Sequence, residues 1–348
     1  MAYSTIDKAT LYASSTLYTG NGTAIGSGGN PVTGVGFQPD MVWIKATGAA
    51  EEHVLTDSVR GTTKTIKPNS TDAEYTSAEG LNTFGSDGFP VGTDSNWNQS
   101  GHTYVSWNWK MGTTSGLSGG TITPASYSIN TTAKQGIYKW AGTGSNGTIA
   151  HGLGGTPKVI MVKQLNSTAG WQVYHWMLGA TKVIYLNSNA TPDTSSSVWN
   201  DTEPNATTFA VGDNTGTNAS GSDYIGYVFC DVPGYFTSGN YYGNFDTNGP
   251  MIYTGFRPSL ILIKCTNDTG HWLLYDNKRM GYNEDNRYVE ANDTTVQSTS
   301  YPINIYTNGF KCKEASAGSD LNGNSDSYAW MAWGQTMVSS GNILEPAR

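Results

Sequence analysis

The sequence predicts an all-β protein built from three tandem, related antiparallel β-sandwich domains of the jelly-roll or lectin-like kind. Three observations lead there. Charged residues make up only 13% of the 348-residue chain, while Gly (43), Tyr (21) and Trp (11) are abundant. Such a composition favours strands and tight turns over helices. The apolar runs are short, bounded by turn residues, and lack a 3.6-residue period, so helix is expected only as single turns. One pattern of four strands also occurs three times in the same order.

The first strand of the pattern enters through a proline turn and ends in lysine. It reads Gly36-Phe-Gln-Pro-Asp-Met-Val-Trp-Ile-Lys45, Gly155-Thr-Pro-Lys-Val-Ile-Met-Val-Lys163 and Gly255-Phe-Arg-Pro-Ser-Leu-Ile-Leu-Ile-Lys264. Proline fixes the turn, and the continuous apolar run reads as a buried strand. A second strand follows each copy: His53-Val-Leu-Thr-Asp57, Trp171-Gln-Val-Tyr-His175 and His271-Trp-Leu-Leu-Tyr-Asp276. Then come Asp87-Gly-Phe-Pro-Val-Gly92, Phe209-Ala-Val-Gly-Asp213 and Asn308-Gly-Phe-Lys-Cys312. Each copy closes on an aromatic strand: Tyr104 to Trp109, Tyr224 to Phe229 and Tyr328 to Trp333. Lysine and closing tyrosine lie 59, 61 and 64 residues apart, a constancy that chance does not preserve. In the first closing strand Val105, Trp107 and Trp109 share one face, and Tyr104, Ser106 and Asn108 the other.

These elements set the expected boundaries: an N-terminal arm at 1–15, repeat 1 at 16–112, a Gly/Ser/Thr linker at 113–125, repeat 2 at 126–234 and repeat 3 at 235–348. The tail after Gln335 reads as an extended end.

Composition also excludes. A net charge of −8 without clustered Lys and Arg argues against nucleic acid as a partner. No apolar run approaches the roughly 18 residues that span a bilayer, so no membrane partner is expected. The first residues lack a basic segment leading into an apolar stretch, so Sec-type secretion is not indicated. Three cysteines (Cys230, Cys265 and Cys312) cannot build a disulfide framework, and reduced thiols are the simpler reading.

Catalytic motifs fare poorly. Gly116-Leu-Ser-Gly-Gly120 matches G-x-S-x-G but sits in the linker, without the strand and helix that a nucleophile elbow needs. Gly142-Thr-Gly-Ser-Asn-Gly147 matches G-x-G-x-x-G, yet Thr-Ile-Ala-His follows where a helix should begin. The five histidines show no zinc-ligand spacing. No catalytic residue and no cofactor is expected.

Binding candidates are more concrete. Asp57-Ser-Val-Arg60 recurs as Asp276-Asn-Lys-Arg279, whereas repeat 2 has His175-Trp-Met-Leu178. The recurring pair reads as a local ion pair that fixes a turn. Asp320, Asn322, Asn324 and Asp326 place alternating oxygens in a loop that could hold calcium; the competing reading is an Asx-rich hairpin. Trp97, Trp199 and Tyr301 stand among polar residues and are candidate platforms for sugar rings; the competing reading is that they cap the cores.

Several of these strings, with Leu17-Tyr-Thr-Gly-Asn-Gly22, Asp57-Ser-Val-Arg-Gly61, Tyr253-Thr-Gly-Phe-Arg-Pro258 and Thr307-Asn-Gly-Phe310, make the chain resemble a known family. It consists of repeat domains of tailed phages, often marine ones, labelled tail-fibre-like or virion structural. The resemblance covers nearly the whole chain; the stretch from Trp333 departs from the family's ending. It implies a virion protein exposed on the particle, as tail fibre or spike or as capsid decoration or head fibre. Implied partners are other virion proteins, further copies of the chain (a homo-oligomer, by preference a trimer) and host-surface polysaccharide. The family offers no catalytic residues to carry over. The alternative is a glycan-degrading depolymerase.

Overall fold

Strands rich in β-branched and aromatic residues, separated by glycine turns, pair antiparallel throughout the named ladders. The structure is a computed structural model, and it describes residues 6, 8–279, 283, 286–313 and 320–335. The expected tail after Gln335 and the first five residues of the expected arm lie outside them. Helix is confined to turns, among them Ser95–Asn98 and Ser196–Trp199.

The same strand order appears in three sheets. An opening strand lies beside the aromatic closing strand, which lies beside the lysine strand, which lies beside the second strand. The opening strands are Ala13–Thr19, Gln135–Ala141 and Phe236–Tyr242. The closing strands are Thr103–Trp109, Asp223–Cys230 and Ser327–Gly334; the lysine strands are Met41–Ala46, Pro157–Gln164 and Pro258–Cys265. The second strands are Val54–Asp57, Gln172–His175 and Trp272–Asp276. Register is conserved as well: Ala13 faces Trp109, Gln135 faces Phe229 and Phe236 faces Trp333. Each segment adds a small sheet: Asn30–Thr33 with Gly88–Val91, Gly147–Ala150 with Thr208–Val211, and Met251–Tyr253 with Gly309–Cys312 and Ile303–Tyr306. Gly88 and Gly309 are required there. A Cβ on either would stand 1.9 Å from a carbonyl oxygen of the facing strand.

Alternation along the strands explains the packing. Val42, Ile44 and Tyr104 face a core private to the first segment, shared with Phe89 and Trp97 from beyond the main sheet. Equivalent private cores fill the second and third segments. Met41, Trp43, Trp107 and Trp109 face the other way, into one cluster to which all three segments contribute. Trp109, Phe229 and Trp333, each five residues beyond its closing tyrosine, meet there. The Trp333 ring lies 5.5 Å from Trp109 and 5.2 Å from Phe229, edge to face. The main sheets are thus buried on both faces, which is why four apolar residues in a row precede the lysine in each lysine strand.

Two boundaries differ from expectation. The first strand starts at Ala13, inside the expected arm, and Ile6 and Ala9 are buried in the shared cluster. The 113–125 segment is not a free tether. Thr113 bridges Ile129, Gly120 and Ile122 bridge Ile149, and Ile122 is buried. Its glycines supply left-handed turns at Gly116, Gly119 and Gly120.

Candidate functional site: three junctions that close a ring

The lysines that end the three apolar strands are buried, although lysine rarely is. Each amine reaches a carbonyl of another segment. Lys163 donates to Thr71 O of the first segment, Lys264 to Asn189 O of the second, and Lys45 to Thr294 O of the third. Four residues upstream of each accepting carbonyl is a second one. Lys67 O accepts from Trp171 Nε1 (2.9 Å), Tyr185 O from Trp272 Nε1 (2.9 Å), and Glu290 O from His53 (3.0 Å). Since His53 Nδ1 accepts from Trp43 Nε1, its Nε2 carries the donated proton. The contacts run first to second, second to third and third to first, so they close a ring. Burial pushes all three lysines down to about 8.

An asparagine anchors every accepting loop. Asn69, Asn187 and Asn292 accept through Oδ1 from the backbone N–H of His53, Trp171 and Trp272, at 2.7–3.0 Å. The three loops therefore correspond residue by residue.

The expected Asp–Arg pair is present in both places. Asp57 Oδ2 takes Arg60 Nε at 2.6 Å, and Oδ1 caps the N–H groups of Val59 and Arg60. Asp276 and Arg279 repeat this geometry. Each carboxylate also reaches out of its own segment. Asp57 accepts from Tyr227 OH at 2.7 Å, and Asp276 from Trp107 Nε1 at 3.2 Å. Both donors stand three residues beyond a closing tyrosine, where the third segment has Met331. Methionine donates nothing, and the acceptor that would face it is the one missing from repeat 2. His175 stands there and donates to Trp330 O at 3.1 Å. Burial holds its imidazole down at about 4.

A further trio went unread in the sequence. Asn98, Asn218 and Asn322 are fully buried, six residues before each closing tyrosine. Each Oδ1 accepts from the N–H of Asn21, Thr143 or Asn244, just past the opening strand. Each Nδ2 donates back to the same segment. The constant six-residue offset from Tyr104, Tyr224 and Tyr328 was the available signal. Gly142 of the G-x-G-x-x-G match belongs to this clamp: a Cβ there would stand 2.0 Å from Ala219 O, and Gly20 and Gly243 are as tightly placed.

The expected sugar platforms need correction. Trp97 and Trp199 sit on the two helical turns with their rings in private cores, 0% and 1% exposed. A ring without a free face cannot stack on a pyranose. Tyr301 is half-buried, 5.4 Å from the Tyr288 ring, and its carbonyl accepts from Tyr275 OH. The calcium candidates do not converge as free ligands. Asn322 is the clamp just described, Asp320 Oδ1 accepts from His271 N–H at 2.9 Å, Asn324 is exposed, and Asp326 meets Asn267. All three cysteines are buried free thiols. Burial pushes Cys230 and Cys312 up to about 12, far from a reactive thiolate.

Two clefts open at the junctions. One of about 470 Å³ between the first and third segments is lined by Tyr18, Thr103, Lys278, Arg287 and Gln297 among others. One of about 610 Å³ between the first and second is lined by Asp40, Ser58, Lys110, Tyr127 and Ser128 among others. No helix among the described residues is long and apolar enough to cross a membrane.

Fold and site together define an all-β protein whose repeated polar residues lock three sheets into a closed ring. Residues 8–336 match a family described as a domain of unknown function, DUF7483, and the chain belongs to that family. No curated protein and no solved structure matches it.

Proposed function

We propose that the protein is a structural component on the outside of a phage particle, as tail fibre or spike or as capsid decoration, and that it works by assembly and by contact with host-surface glycan. In this reading the three segments are tandem sandwich domains, each a main sheet on its small sheet. The observation that carries it is the use of the recurring polar side chains. Lys45, Lys163, Lys264, Asp57, Asp276 and His175 are buried and bonded across junctions, which suits a rigid particle component. Resemblance to phage repeat domains supplies the setting. Association into a homo-trimer belongs to the same reading, although one chain already carries a threefold arrangement.

With Trp97 and Trp199 in cores, glycan contact falls to the outer face of the third small sheet. Tyr253 and Tyr306 both lie opposite Gly309 there, and both are exposed. The two tyrosines flank the same position of the central strand, and a sugar ring can meet their apolar faces. Linked copies would raise the apparent affinity of weak contacts.

Immunogold labelling of intact particles tests the main claim. Label on the outer surface is expected; label appearing only after the particle is disrupted would overturn it. Glycan binding by wild type and by Tyr253→Ala tests the second claim, and equal binding by both would remove that face from it.

A further inference from the structure

Loop correspondence exposes one junction whose charges differ from the others. The residue before His53, Trp171 or Trp272 and the residue supplying the first accepting carbonyl face each other at every junction. In the first segment they are Glu52 and Lys67, and the Lys67 ammonium lies 3.6 Å from Glu52 and 3.0 Å from Asp72. In the second they are Gly170 and Tyr185, without charge. In the third they are His271 and Glu290, with Asp293 where the other loops have Ser70 and Ser188. The place that Lys67 fills with a cation in the first loop is taken by a second acidic side chain in the third.

One ligand atom from each of His271, Glu290 and Asp293 lies within 4.8 Å of the other two. The imidazole tautomer is set by its neighbour. Asn292 Oδ1 is committed to the N–H of Trp272, so its Nδ2 is the group 3.0 Å from His271 Nδ1. Nδ1 is therefore unprotonated, and its one lone pair accepts from that amide, a hydrogen bond that an ion binding at Nδ1 would displace. A Glu290 carboxylate oxygen stands 3.4 Å from that nitrogen, and two electron-rich atoms face each other with no proton between them. The Lys45 ammonium, which feels the charge of Asp293, makes its three hydrogen bonds to the carbonyls of Ala46, Ala49 and Thr294.

We propose that His271, Glu290 and Asp293 bind a divalent transition-metal ion of the class of zinc, which pins the 290–294 loop where the third segment closes onto the first. One imidazole nitrogen and two carboxylate oxygens suit zinc, with water completing a tetrahedron. All three residues are half-buried, so an ion can enter from solvent. The same loop gives Glu290 O to His53 and Thr294 O to Lys45, so the ion would stiffen the contact that completes the ring.

The test uses the full chain, stripped with chelator and dialysed against zinc chloride, with cobalt as a spectroscopic probe. One ion per chain is expected, together with a rise in Tm on adding zinc and the intense visible bands of low-coordinate cobalt. His271→Ala and Asp293→Asn should each weaken binding by about 10-fold or more and abolish the Tm rise. Circular dichroism confirms that each variant is folded, and Asp293→Asn keeps the test open if His271→Ala is not. Wild type that binds no zinc would overturn the proposal. So would both folded variants retaining wild-type affinity, or loss of binding in His102→Ala instead.

Discussion

The junction between the first and second segments and the junction between the second and third occupy the same place in the ring and use different chemistry. At the first, the Asp57 carboxylate holds Arg60 within its own segment and takes Tyr227 OH from the next. At the second, a neutral His175 gives its proton to a backbone carbonyl, and Met331 stands where the tyrosine would be. An acceptor and its donor have changed together. A carboxylate buried against a methionine would lack a partner, and a tyrosine facing an imidazole donor would gain little. Repeat 2 therefore lacks an Asp–Arg pair at the junction where the neighbouring segment lacks a side-chain donor. The sign of the polarity at each junction matters less than that both sides match.

The largest expected effect comes from breaking the charged junction. Asp57→Leu leaves the buried Arg60 guanidinium with Glu74 as its remaining carboxylate and orphans Tyr227 OH. It should cost about 3–5 kcal/mol in urea unfolding. His175→Leu, at the neutral junction, should cost clearly less, and equal costs would refute the distinction.

Acid should discriminate the junctions next. The folded His175 takes up a second ring proton only below about 4, whereas an unfolded histidine does so near 6.5. Its contribution is complete above pH 6.5 and is lost as pH falls from there to about 4, with no further loss below. The loss amounts to at most about 3 kcal/mol, at roughly 1.4 kcal/mol per pH unit. His175→Gln keeps a donor for Trp330 O but does not titrate, so its stability should fall less over that window. Parallel curves for the two proteins would refute the assignment.

Tyr227→Phe removes one donor and leaves the carboxylate with Arg60. We expect about 1–3 kcal/mol, and a double-mutant cycle with Asp57→Asn should show coupling. Asn218→Ala, which empties one clamp, should fall in the same range, read by the urea midpoint. The smallest effect is expected for Lys67→Ala. Its ion pairs with Glu52 and Asp72 lie towards the surface, so the loss should stay below about 1 kcal/mol and shrink with added salt.

Much of the fold was legible. The lysine strands, the closing strands and the local Asp–Arg turns fall where alternation and spacing put them, because side chains carry those signals. Ring closure was not legible, for a physical reason. The accepting groups at Lys67, Tyr185 and Glu290 are carbonyls, so the residues bearing them are free to differ and show no shared pattern. Trp97 and Trp199 misled because their sequence neighbours are polar. A single helical turn carries the indole inwards while Ser95, Asn96 and Gln99, or Ser196 and Ser197, stay at least partly exposed. The trio Asn98, Asn218 and Asn322 was within reach, being side-chain chemistry at a fixed offset.

Closure has a consequence for how the architecture ends. An open stack of such segments would show an unsatisfied face at either end and would need a specialised terminal unit over each. Here the loop at 290–294 returns to His53 and Lys45, so the last segment does for the first what a cap does for a solenoid. The number of segments is then set by the angle at which neighbours meet. A fourth copy inserted between two others would have to prise that contact apart before it found a place.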